Sequence, residues 1–68
     1  MTNEELREYF RGVLAKEEKA LADFDRAVAE HGAKLIERTT AGTRDITAQS
    51  RAQHVTAIEE YRRMLGKV

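Results

Sequence analysis

The chain has 68 residues, with twelve basic and twelve acidic side chains, no cysteine and no proline. A single domain of this size buries only about 60% of the surface its unfolded form exposes. Disulfides and cysteine-based metal sites are excluded, which leaves regular helix packing and association as the sources of stability.

Alanine, glutamate, arginine, leucine and lysine dominate, and as strong helix formers they point to an all-α domain. Thr2 and Glu5 have the spacing of a capping box, and acidic residues in a first turn suit the helix dipole. From Glu4 onward Leu6, Phe10, Val13, Leu14, Leu21, Phe24 and Val28 recur at steps of three and four, which predicts one apolar stripe on a helix. Gly12 interrupts that helix, and close approach by another helix is its expected use.

Gly32 is ambiguous between a left-handed cap and an interior position. Leu35 extends the seven-residue row Leu14, Leu21, Val28, which favours one long helix from about residue 4 to about residue 39, loosened near Gly32. The alternative is a break at Gly32 and three helices, the middle one over residues 33–40. A turn over residues 40–44 follows, with Gly42 for a positive φ and Thr43 or Asp45 as the next N-cap. A second helix is predicted over about 45–65, with Ala48, Ala52, Val55, Ile58, Tyr61 and Leu65 as its stripe and Gly66 as its stop.

These elements predict an elongated antiparallel helical hairpin. Residues 1–32 carry five basic and eight acidic side chains, and residues 33–68 carry seven and four, so unlike charges lie side by side when the second half folds along the first. A turn near residue 42 pairs residues whose numbers sum to about 84. In that register helix 2 ends opposite roughly residue 18, leaving Leu6, Tyr9, Phe10, Val13 and Leu14 without cover inside the chain. Large apolar side chains are each worth ~1.5 to 3 kcal/mol on full burial, so this cluster is expected to meet a second chain. A homodimer forming a four-helix-type bundle is the first expectation, and a different protein partner is the second.

No Ser/His/Asp arrangement, glycine-rich phosphate loop or zinc motif is present, so neither an enzyme nor a metal or cofactor site is expected. His31 and His54 come level in the 84 register, but two histidines without a Glu-x-x-His pair do not complete a metal site. Glu17, seven residues from both Phe10 and Phe24, reads as an edge carboxylate that sets register.

The function these features suggest is that of a small protein-protein interaction module: an adaptor, inhibitor or regulatory subunit. The alternative is a dimeric nucleic-acid-binding regulator that uses Arg38, Arg44, Arg51 and His54, side chains suited to phosphates and base edges. A zero net charge and no aromatic residue between Phe24 and Tyr61 weigh against it. No apolar run approaches the roughly 20 residues of a membrane span, and the first residues lack a signal-peptide pattern, so a cytoplasmic location without membrane contact is expected.

Overall fold

The computed structural model describes residues 1–68. Helix α1 spans Asn3–His31. It starts where predicted: Thr2 sits in extended backbone and its hydroxyl oxygen accepts the Glu5 N–H at 3.1 Å, which satisfies one of the unpaired donors of the first turn.

The helix stops eight residues earlier than the expected 39. Gly32 adopts φ 60° and ψ 30°, and its N–H donates to the Val28 carbonyl at 3.1 Å. This is a left-handed cap, a conformation that glycine reaches without the steric cost of a Cβ. Leu35 keeps the heptad spacing by coincidence of number and lies outside the helix, 44% exposed.

The segment beyond Gly32 is neither continued helix nor a third helix. Strands β1 (Ile36–Thr39) and β2 (Gly42–Asp45) pair antiparallel, with Ile36 opposite Asp45 and Thr39 opposite Gly42. Ile36, Thr39 and Thr43 favour a pleated backbone, and Gly42 takes a positive φ of 128° at the turn. The Thr39 side chain reinforces the bend, accepting the Ala41 N–H at 3.2 Å and donating to the Gly42 carbonyl at 3.1 Å. The expected all-α chain thus also carries a small two-stranded sheet.

Helix α2 spans Thr47–Lys67, two residues later than predicted. The cap position is Ile46, with no side-chain cap bond, and Asp45 just before it accepts the Thr47 N–H at 2.9 Å and the Thr47 hydroxyl at 2.6 Å. The same hydroxyl oxygen accepts the Leu35 N–H at 2.9 Å, and the Ile46 N–H donates to the Leu35 carbonyl at 2.9 Å. These bonds clamp the entry of the β-hairpin to the start of α2. At the other end α2 runs through Gly66 rather than stopping at it.

The two helices, 50 of the 68 residues, pack antiparallel as a helical hairpin with the sheet between them in sequence. Because fifteen residues lie between the helices at the bend, α2 slides toward the start of α1. Arg7 meets Val68, Phe10 meets Tyr61, Glu17 meets His54 and Asp25 meets Arg51. These pairs have numbers summing to 71–76 rather than about 84. The slide gives the segment from Leu6 to Leu14 a neighbour within the chain, correcting the expectation that it has none.

The result is one layer thick. Its extents are 47 × 29 × 15 Å and its radius of gyration is 15.4 Å, against ~11 Å for a compact domain of this length. A helix with its side chains is already about 10–12 Å across. Ile58 is the one buried residue. No helix is long and apolar enough to cross a membrane.

Gly12 is not a close-approach site within the chain, since nothing lies within 4 Å of a Cβ built there. Its cost as an interior helical glycine is therefore uncompensated. Gly12→Ala is expected to stabilise the fold by roughly 0.5–1 kcal/mol, read as a higher midpoint in a urea melt followed by circular dichroism.

Candidate functional site

At 100° per residue, the helical repeat divides the layer into two unlike faces. One face carries the ion pairs that bridge the helices. Arg51 grips Asp25 with Nε at 2.8 Å and Nη2 at 3.1 Å, and Arg62 reaches Glu18 at 3.0 Å. Both pairs are exposed, so they set the alignment of the helices more than their stability.

The other face is apolar. Phe10 lies 6.4 Å from Tyr61 between ring centroids, with Tyr9 edge-on to Phe10 at 5.5 Å. Further along, Phe24 lies 5.8 Å from the His54 ring, and His54 Nδ1 contacts the Glu17 carboxylate. The Glu17–His54 pair is a polar interruption of this face, and both side chains are about three-quarters covered.

Of the residues singled out from the sequence, Leu6, Phe10, Val13 and Leu14 are half-buried in the single chain, whereas Tyr9 is 57% exposed. Leu14 belongs to the seam between the helices. Leu6, Tyr9 and Val13 turn toward the apolar face. Three residues outside the expected interface, Met64, Val28 and Leu35, are also substantially exposed. A signal was available. Leu6, Val13, Ala20 and Ala27 form a second seven-residue row on α1, matched on α2 by Ala57 and Met64, and two adjacent rows mean a helix wanting two neighbours.

The four residues of the nucleic-acid alternative are spread from the β-hairpin into α2 as far as the level of mid-α1, and three are occupied. Arg44 pairs with Glu37 at 2.5 Å, Arg51 with Asp25 and His54 with Glu17. Arg38 has no carboxylate within ion-pair distance. A phosphate would have to displace acidic side chains, the opposite of a basic footprint. The two histidines do not meet, since His31 ends α1 about 21 Å along the helix from Glu17 at 1.5 Å per residue. No group of three or more His, Cys, Asp or Glu side chains is placed to hold a metal ion.

Three carboxylates carry acid sensitivity, and hydrogen bonding from Lys19 holds the Asp23 carboxyl below its ordinary value. Hydrogen bonding from Arg51 holds the Asp25 carboxyl below its ordinary value, and hydrogen bonds from the Thr47 hydroxyl and then the Thr47 N–H do the same for Asp45. A depressed folded-state pKa contributes stability that is fully present above the unfolded value of about 3.9 and is lost as pH falls through the folded value. The melting temperature is expected to fall as pH drops below about 4. An Asp25→Asn, Asp45→Asn variant is expected to melt lower at neutral pH and to show a smaller fall in acid, as a pH series of thermal melts would show.

No protein-family model matches the chain, and neither a curated protein nor a solved structure is similar to it.

Proposed function

We propose that this chain is a non-enzymatic interaction module that acts through its apolar helical face and assembles into a four-helix-type bundle. The supporting observation is an excess of surface. The chain exposes 5370 Å², whereas a folded monomer of 7.7 kDa exposes about 4,300 Å² by the usual mass scaling. The surplus, about 1,000 Å² per chain, is close to the roughly 800 Å² that each partner buries in a stable protein-protein interface.

Tyr9 and Met64, 57% and 43% exposed, add apolar surface on one face, so the proposed interface takes in the N-terminal part of α1 together with α2. A second layer there completes a core that one layer cannot enclose. Light scattering coupled to size-exclusion chromatography tests the reading. A mass of twice 7.7 kDa or more at tens of micromolar is expected, and a well-folded monomer at that concentration would overturn it.

A further inference from the structure

We infer that the second layer is another copy of this chain, related by a two-fold axis parallel to the helices, so that both β-hairpins lie at the same end and each α1 rests on the partner's α2. This deepens the proposed function and rests on it. Two closed arrangements bring the apolar faces of two identical hairpins together. With the axis along the helices, α1 covers the partner's α2. With the axis across them, one hairpin is turned end over end, α1 covers the partner's α1, and the β-hairpins lie at opposite ends.

Charge separates the two. Within Asn3–His31 there are eight acidic and five basic side chains, and within Thr47–Lys67 there are four basic and two acidic. The end-over-end dimer sets the acidic helix on itself and the basic helix on itself. The axis-parallel dimer sets each on its opposite, and like charges across an interface are costly.

The rim agrees with the same choice. Lys16 on α1 and Glu60 on α2 flank the apolar face, and neither has an ion-pair partner within its own chain. In the axis-parallel dimer residues that are level within one chain are also level across the interface. Lys16 and Glu60 have numbers that fall within the observed register, so Lys16 comes level with the partner's Glu60. Glu17 likewise comes level with the partner's His54. The polar pair of each copy then lies at the same height as that of the other, and carboxylate alternates with imidazole around the bundle. The end-over-end arrangement places Glu17 opposite an α1 surface and offers His54 no carboxylate from the partner.

The absence of cysteine makes the orientation directly measurable. Ala41, exposed at the tip of the β-hairpin, is replaced by cysteine (Ala41→Cys) and spin-labelled, and the distance between labels is read by pulsed dipolar spectroscopy on the assembled protein. The axis-parallel dimer predicts a distance well under the 47 Å length of the hairpin. A distance near or above that length with a dimeric mass would overturn the orientation and leave the interaction function standing. No dipolar coupling together with a monomeric mass would overturn both. A charge exchange supplies a second readout that does not depend on the label: Lys16→Glu and Glu60→Lys are each expected to weaken the dimer about fivefold, from two exposed pairs per dimer, and the double variant to restore it. Failure of the double variant to recover would also overturn the orientation.

Discussion

Replacing Tyr9 and Met64 together by glutamate is expected to raise the dissociation constant of the proposed dimer by more than a hundredfold. The two side chains are 57% and 43% exposed in the single chain, so they have much of their area still to bury. Each is worth ~1.5 to 3 kcal/mol when fully buried. Two-fold symmetry removes each twice, so a loss of about 3 kcal/mol is reached with only partial burial, and every 1.4 kcal/mol is tenfold in affinity. The introduced carboxylates would also face an apolar surface without counter-charge.

Sedimentation equilibrium decides the outcome. A monomer with helical circular dichroism is expected at micromolar concentration, whereas retention of the dimeric mass would place the interface elsewhere. Tyr9 and Met64 are better probes than Phe10 and Leu14. Phe10 stacks on Tyr61 within the chain and Leu14 lies in the helix seam, so polar substitutions at those two would disturb the hairpin itself.

Ile58→Ala is expected to cost about 2–5 kcal/mol, the range for emptying a buried branched aliphatic position. Ile58 is 6% exposed and is the single residue that the one-layer fold encloses. A domain this small has a margin of only a few kcal/mol, so the variant is expected to lose its cooperative thermal transition above room temperature. Ile58→Val, which removes one methylene, is expected to cost about 0.5–1.5 kcal/mol and to melt cooperatively. Urea titration at fixed protein concentration measures both. A small effect for Ile58→Ala would mean that helix pairing does not depend on this contact.

Much of the local structure was legible in the residues. The Thr2 cap, the α1 stripe and the positive-φ glycine at residue 42 follow from interactions spanning at most four positions, and each lies at its predicted place. The β-hairpin was not legible, although Ile36, Thr39, Thr43 and Gly42 carry a faint strand and turn signal. Four-residue strands are too short to outweigh a heptad match at Leu35, and their clamp runs from Leu35 to Ile46 and Thr47, eleven and twelve positions away.

The candidate site suffered from the same gap. Leu6, Tyr9, Phe10, Val13 and Leu14 read in the sequence as an apolar group without cover in the chain, and that reading depended on where the bend falls. Moving the end of α1 from about residue 39 to His31 slides α2 by about nine residues, which turns Phe10 from an uncovered residue into a partner of Tyr61.

By itself, then, the sequence determined that two amphipathic helices would form and where the first of them is capped. These are properties of near neighbours and of composition, and no distant contact is needed to establish them. Only the tertiary structure decided the register of α2 on α1, the meeting of Glu17 with His54, and the division of the layer into an ion-paired face and an apolar one. Register is a sum over the whole bend, so a single left-handed glycine at residue 32 changes which side chains meet along the full length of both helices.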